Sequence, residues 1–231
     1  TAGTALGTTA SITLTPSTVS PLDKVSCTAT ATDGFSATTD SSATVTVSNT
    51  PPTVDSISLT PRTPDTGTTM TCTATGSDSD DSTAPSISYA WSNVTAGTDI
   101  SSSASLSSGS STLALTNSLA QPDDVIKCVA TATDSDGATA TDSATQTVTN
   151  TDPVVTTVTI RPSTNVTAAS ELTCSATVTD IDGGTPTVAF AWTNSTTSTA
   201  LGTDATLQLT NSNASPNDTI VCKATATDSD G

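Results

Sequence analysis

The 231-residue chain carries 22 Asp and Glu residues against 5 Lys and Arg, has no histidine, and has a formal net charge of −17. So acidic a protein repels nucleic acid and anionic membrane surfaces, because both require a basic patch on the protein. The sequence contains no apolar run long enough to span a bilayer, and its first residues lack the basic-then-apolar order of a signal peptide. We therefore expect no nucleic-acid partner and no membrane insertion of this segment.

A Cys, Trp, Cys order occurs twice and divides the chain into repeats of about 100 residues. The two copies are Cys72, Trp91, Cys128 and Cys174, Trp192, Cys222. The segment around Cys27 matches the second half of each copy, so the register predicts three units. These are residues 1–48, the C-terminal half of a repeat; residues 49–151, a complete repeat; and residues 152–231, a repeat without its last strand. The first Cys and the Trp of the first unit would precede Thr1, and we expect Cys27 to have no partner in this chain.

Period-two alternation predicts β-strands in every unit. Residues 126–133 read Ile-Lys-Cys-Val-Ala-Thr-Ala-Thr, with one apolar face and one largely polar face, and residues 220–227 follow the same rule. Few aromatic residues and many Ser and Thr residues would otherwise indicate disorder or a mucin-like stalk. Threonine is a good strand former because its branched Cβ suits a pleated surface. The chain is therefore predicted to be all-β.

The sequence resembles a known class of surface protein. The segments SYAWSN and AFAWTN, the turn TDSDG, and the openers PTVDSISLTP and PVVTTVTIRP resemble tandem Ig-like repeats of prokaryotic surface proteins. They are also similar to PKD and cadherin-like modules, and the likeness covers the whole chain. It implies tandem immunoglobulin-like β-sandwiches, each with an intra-domain disulfide. Short linkers containing proline, at residues 49–52 and 150–153, would make the array a semi-rigid rod.

The resemblance pairs Cys72 with Cys128 and Cys174 with Cys222. The predicted core is thin, because Ala and Cys occupy inward strand positions, and each bridge would contribute roughly 4 kcal/mol to stability. Disulfides would imply an oxidising, extracellular or cell-surface location. The alternative is reduced, buried cysteines or a metal site, although the chain has neither CxxC pairs nor histidine.

Acidic residues concentrate in the loops that should meet beside each linker, and they predict calcium as a structural cofactor. Several carboxylates held at one pole repel one another unless a cation neutralises them, and calcium prefers oxygen ligands. The candidate ligands are Asp55, Asp78, Asp80, Asp81, Asp134 and Asp136 in the middle repeat, and Asp152, Asp180, Asp182, Asp228 and Asp230 around the third. The alternative is that Asp-Ser-Asp-Gly and Asp-Ile-Asp-Gly are turn sequences in their own right. Turn capping is the interpretation preferred for Asp23, Asp124 and Asp218.

Five sequons occur, and the one at Asn213 is weakened by the following Pro216. The other four predict N-glycosylation, at Asn93, Asn165, Asn194 and Asn217, with chance as the alternative in a chain so rich in Asn and Thr. An enzyme would need a nucleophile with its base, a carboxylate pair in a cleft, or an open metal site, and we expect none in this segment. The preferred function is a structural repeat protein in a cell-surface stalk, fibre or filament, with other copies or repeats as its partners. The alternative is an adhesin that binds a glycan or protein on another surface. The longer polar segment after Trp91 is the feature that would favour such a binder.

Overall fold

The structure is a computed structural model that describes residues 3–107 and 109–230. It contains sixteen strands and one short 3-10 turn within these residues. Two compact units divide the chain: the first comprises residues up to Arg62 with Met70–Leu113 and Lys127–Gln146, and the second comprises Thr63–Thr69, Ala114–Ile126 and the residues from Thr147 onward. Residues 49–151 contribute to both units, and the repeat boundaries at residues 48 and 151 stay predictions.

The strands follow the turn signals of the sequence. The N-terminal hairpin consists of β1 (Lys24–Thr32) and β2 (Thr38–Thr46). The next eight strands are β3 (Thr53–Thr60), β4 (Thr69–Ser77), β5 (Ser86–Asn93), β6 (Thr98–Asp99), β7 (Ala104–Ser107), β8 (Ser110–Ala114), β9 (Val125–Thr133) and β10 (Thr139–Thr147), with the 3-10 turn at Ser101–Ser103. The last six are β11 (Val154–Arg161), β12 (Glu171–Thr179), β13 (Thr187–Asn194), β14 (Thr199–Gly202), β15 (Thr206–Gln208) and β16 (Ile220–Thr227).

Strands β3 to β16 form four sheets, and disulfides join these sheets into two pairs. One pair of sheets has the orders β3-β4-β8-β7 and β10-β9-β5-β6, and the other has β11-β12-β15 and β14-β13-β16. A disulfide connects Cys72 on β4 to Cys128 on β9, and a second connects Cys174 on β12 to Cys222 on β16. Each bridge therefore joins two different sheets. The predicted all-β, sandwich-like class and both cysteine pairings are confirmed, and the two disulfides indicate an oxidising compartment.

The core combines the small inward residues that the alternation predicts with large aliphatic side chains such as Met70, Leu113 and Leu115. In β9 the inward residues Ile126, Cys128, Ala130 and Ala132 are all fully buried, and the residues between them are partly exposed. Trp91 and Trp192 are 2% and 1% exposed, so both are core residues. Trp192 lies directly opposite Cys222 in the register of β13 and β16. Trp91, Trp192 and Met70 are the largest fully buried side chains of the core.

Outward-facing hydroxyls are hydrogen-bonded across the strands. On β3 and β4, Ser56 lies 2.7 Å from Thr75 and Ser58 lies 2.6 Å from Thr73, measured between their hydroxyl oxygens. The pair Thr159 and Ser175 repeats the arrangement on β11 and β12 at 2.8 Å. Cross-strand hydroxyl pairs of this kind stabilise a sheet face that carries few charges.

The N-terminal hairpin differs from the other sheets. Strands β1 and β2 form a two-stranded sheet, and the register places Cys27 opposite Ala43. Cys27 is exposed and unpaired, as predicted from the repeat register. Val45 on β2 is 63% exposed and Ile12, ahead of β1, is 45% exposed. The apolar face of this hairpin is therefore open to solvent.

Candidate functional site

The first linker, residues 49–52, is held by two aspartates of the sequence that follows it. Asn49 donates from Nδ2 to Oδ2 of Asp134 at 2.9 Å, and the backbone N–H of Thr50 donates to Oδ2 of Asp80. Asp80 lies in the loop between β4 and β5, and Asp134 begins the turn between β9 and β10. We call this pair of hydrogen bonds the linker contact.

The second linker, residues 150–153, makes the same linker contact. Asn150 donates from Nδ2 to Oδ2 of Asp228 at 3.1 Å, and the backbone N–H of Thr151 donates to Oδ2 of Asp182 at 2.6 Å. Asp182 lies in the loop between β12 and β13, and Asp228 follows β16. The two linkers therefore form the same bonds with the same residue types, which lie in equivalent loops of the sequence that follows.

The local sequence explains why these carboxylates can reach the linkers. Asp134 accepts backbone N–H bonds from Asp136 and Ala138 on Oδ1, at 3.0 and 2.7 Å, which forms the Asp-Ser-Asp-Gly turn and leaves Oδ2 for Asn49. Asp228 likewise accepts the N–H of Asp230 on Oδ1 at 3.1 Å. Each of these aspartates therefore uses Oδ1 to form its turn, as expected, and Oδ2 for the linker contact.

The loop after β4 is organised in a similar way. Asp78 accepts the N–H groups of Asp80 and Asp81 on Oδ1 at 2.7 and 3.3 Å. Asp81 in turn accepts the backbone N–H of Ser135 at 3.2 Å and its hydroxyl at 2.9 Å, both on Oδ2. The prediction that two loops converge at one pole is therefore correct for the loops that contain Asp81 and Ser135.

The structure separates the candidate calcium ligands into different environments. Asp55 lies at a bulge of β3 and accepts hydroxyl bonds from Thr53 and Ser77, both at 2.8 Å. Asp180 accepts the N–H of Asp182 at 2.9 Å. Three other candidates are exposed: Asp136, Asp152 and Asp230. Among residues 3–107 and 109–230, no three Asp, Glu, Cys or His side chains are grouped so as to hold a metal ion. Calcium binding stays a prediction.

The linker contact favours the charged form of Asp134. It is 8% exposed. The hydrogen bond from Asn49 is the largest influence and lowers the pKa of Asp134 below its ordinary value of 3.8. The backbone N–H groups of the turn lower the pKa further, while burial opposes both effects. The linker amide therefore favours the charged form of this carboxylate.

Four buried oxygen atoms near the linker contacts have no hydrogen-bond partner. They are Oδ2 of Asp78, Oδ1 of Asp182, Oδ1 of Asn150 and Oγ1 of Thr151. Asp182 itself is 2% exposed. The sequence predictions included the two aspartates but missed Asn150 and Thr151. The signal that could have found them is the Asn-Thr pair that opens both linkers.

The aspartates predicted to cap turns do so. Oδ2 of Asp23, Asp124 and Asp218 accepts the backbone N–H of the residue three positions earlier, at 2.9, 2.9 and 2.8 Å. The residue before each of these aspartates has a positive φ of 67°, 67° or 72°; these residues are Leu22, Asp123 and Asn217. A proline, Pro21, Pro122 or Pro216, precedes each of these residues with positive φ. Each segment is thus a β-turn that contains proline and is closed by the aspartate side chain.

The four predicted glycosylation sites occupy different environments. Asn93 and Asn194 are 1% and 2% exposed. Asn194 donates from Nδ2, the atom that a glycan would modify, to Asp218 at 2.7 Å, and its Oδ1 accepts the N–H of Thr196 at 3.1 Å. Asn165 and Asn217 are exposed. Burial argues against glycans on Asn93 and Asn194, and Asn165 and Asn217 remain the candidate acceptors.

The comparisons with family models and with curated proteins assign no family to this chain. No protein-family model matches the sequence, and a search of curated proteins finds no significant match. In the part of the chain that the structure describes, no helix has the length and apolar character needed to cross a membrane.

Proposed function

We propose that this chain is a structural segment of an extracellular protein whose successive Ig-like repeats form a cell-surface stalk, fibre or filament. Catalysis is no part of the proposal. The observation that carries it is the recurrence of the linker contact, in which Asn49 and Asn150 each bind an aspartate of the sequence that follows.

Recurrence favours a spacer over a dedicated binding site. A spacer uses the same junction at every repeat, since each linker has the same task of limiting movement between neighbours. A ligand site needs a distinctive constellation in one repeat. The second bond of each linker contact, from Thr50 or Thr151, comes from the backbone and so fixes the path of the chain as well as a side chain.

The disulfides support an extracellular role for such a spacer. Cys72–Cys128 and Cys174–Cys222 each cross-link two sheets, so a large part of the stability depends on an oxidising environment. The outward hydroxyl pairs, such as Ser58 and Thr73, give a sheet face with little charge. In the proposed assembly the partners are other repeats and other copies of the same protein.

The adhesin alternative has one feature in its favour. The segment after Trp91 forms β6, the 3-10 turn at Ser101–Ser103 and β7, which pairs with β8. Ser101 in this segment accepts the backbone N–H of Trp91 at 2.8 Å, so the segment is anchored to the core strand. An extension anchored in this way stabilises its own repeat, which favours the structural role over an adhesin.

Immunogold labelling of cells that express the protein tests this proposal. An antibody raised against the 231-residue chain should decorate surface stalks or filaments repeatedly along their length, because repeats of one kind recur in a spacer. Labelling confined to filament tips would support an adhesin. Recovery of the protein only as a soluble, unassembled species in the medium would contradict the structural proposal.

A further inference from the structure

We infer that the second linker and Asp182 form a calcium site in which Asp182, Asn150 and Thr151 supply oxygen ligands. Asp182 carries the argument. It is 2% exposed, its Oδ2 accepts the Thr151 backbone N–H, and its Oδ1 has no hydrogen-bond partner. A buried carboxylate oxygen without a donor is strongly unfavourable in a folded protein, and a bound cation removes that penalty.

The neighbouring unpartnered atoms are also oxygens. Oδ1 of Asn150 and Oγ1 of Thr151 are buried without partners. The bond between the Thr151 N–H and Asp182 brings this part of the linker against the aspartate. A carboxylate, an amide carbonyl and a hydroxyl, with no nitrogen or sulfur ligand, are the donors that calcium accepts in a flexible coordination sphere. Zinc would favour Cys or His, and magnesium would keep most of its water.

Other carboxylates place negative charge around this position. Asp228 accepts Asn150 Nδ2 on Oδ2, which directs the amide so that its nitrogen faces Asp228. Asp180 accepts the N–H of Asp182 and orders the loop. The absence of a group of three Asp, Glu, Cys or His side chains among the described residues is compatible with this site, because two of its three proposed ligands are an amide and a hydroxyl.

The first linker provides the internal comparison. Asp80 occupies the position equivalent to Asp182 and accepts the N–H of Thr50, but Thr50 is exposed and Asp80 is only partly buried. Water can therefore reach Thr50 and Asp80, and neither they nor Asn49 carry a buried oxygen without a partner. Asp78 Oδ2 is such an atom near this linker, but no unpartnered linker oxygen accompanies it. The calcium site that we infer belongs to the second linker alone, which narrows the sequence expectation of one site near each junction.

Calorimetric titration of the chelator-treated 231-residue chain with calcium chloride at physiological ionic strength tests the inference. We expect saturable binding of one ion per chain and a rise in Tm on calcium addition. Asp182→Asn should weaken binding by about tenfold or more. Asp80→Asn, the matched control, removes the same charge from the equivalent position and should leave binding unchanged. Magnesium chloride should give much weaker binding.

A second pair of measurements separates ligand loss from misfolding. In chelator, Asp182→Asn should melt no lower than wild type, because it removes an unpartnered buried charge. In calcium it should lack the increase in Tm of the wild type. Thr151→Val, which retains the backbone N–H, should fold and bind calcium more weakly.

Three results would each overturn the inference: no heat and no Tm shift with calcium, undiminished binding by Asp182→Asn, or an equal loss in Asp80→Asn. All of these measurements use the isolated chain, so they are independent of whether the protein assembles into filaments.

Discussion

Asn49 and Asp134 are 85 positions apart in the sequence, and Nδ2 of the asparagine donates to Oδ2 of the aspartate at 2.9 Å. The aspartate uses its other oxygen within its own turn. One carboxylate therefore closes the turn after β9 and binds the linker that precedes β3. Asn150 and Asp228 repeat the bond at 3.1 Å in the second compact unit.

This bond predicts a change in the titration of Asp134. Because the Asn49 amide is the largest influence lowering the pKa of Asp134, Asn49→Ala should raise that pKa toward the ordinary value of 3.8. Carbon-detected NMR of the Asp134 carboxyl group during an acid titration measures the change. Asn150→Ala is the matched control and should leave Asp134 unaffected. An unchanged Asp134 pKa in Asn49→Ala would contradict the assigned cause.

Protonation of Asp218 should lower the stability of the folded protein in acid. The pKa of Asp218 is lowered from 3.8, first by the backbone N–H of Ser215 and then by the amide of Asn194. The unfolded chain therefore takes up this proton at a higher pH than the folded chain does. The stabilisation is fully present above pH 3.8 and is lost as pH falls through the lower, folded-state pKa.

Thermal unfolding measured between neutral pH and strongly acidic pH tests this assignment. Asp218→Asn should melt below wild type at neutral pH, with the difference narrowing in acid. Asp40→Asn removes one exposed carboxylate from β2 and controls for the change in net charge. Parallel Tm curves for wild type and Asp218→Asn would show that Asp218 does not contribute in this way.

Each disulfide should account for a large part of the stability. The bridge from Cys72 to Cys128 spans 56 positions and that from Cys174 to Cys222 spans 48. Closing loops of this length lowers the entropy of the unfolded chain, so each bridge should add about 4 kcal/mol to the free energy of unfolding. Denaturant unfolding of the double variant Cys72→Ala, Cys128→Ala should show a loss of about this size. Cys27→Ser is the control, since Cys27 is free and exposed, and it should unfold like wild type. A loss of less than about 1 kcal/mol in the double variant would contradict the argument from loop length.

The indole of Trp91 should depend on a buried hydroxyl. Its Nε1 donates to Oγ of Ser111 at 2.9 Å, and Ser111 is fully buried. Ser111→Ala removes this acceptor and should cost about 1–3 kcal/mol, measured by denaturant unfolding. The control is Ser118→Ala, at an exposed position outside the core. Equal stability of the two variants would mean that the indole hydrogen bond contributes little.

The strands and disulfides were predictable from the sequence because their signals are local or periodic. Alternation in residues 126–133 specifies which side chains face inward, and the recurring Cys, Trp, Cys order specifies the bridge. The linker contacts were not predicted, since they join side chains such as Asn49 and Asp134 that only the completed fold brings together. For the same reason the sequence predicts metal binding for the aspartates as a set, although hydrogen bonding divides them among turns, linkers and loops.

The sequons at Asn93 and Asn194 illustrate the same limit. A sequon is a local pattern, whereas access to the amide depends on the sheets. Asn194 donates to the backbone carbonyl of Asn213 at 3.2 Å as well as to Asp218, so it connects the end of β13 to the turn before β16. The asparagine of the Ala-Trp-Thr-Asn segment is thus a structural residue that its sequence context presents as a glycan acceptor.

The last prediction concerns Asn194, which should stabilise the fold and carry no glycan. Asn194→Ala should cost about 1–3 kcal/mol, because it removes the donor to Asp218 and the acceptor for Thr196 within a buried site. Asn211→Ala, at an exposed position, should have little effect and serves as the matched control. When the protein is produced in a host that glycosylates secreted proteins, glycopeptide mass spectrometry should find any N-glycan at Asn165 or Asn217. A glycan on Asn194 of the folded protein would require its side chain to leave the interior, and its detection at high occupancy would overturn the role assigned to this residue.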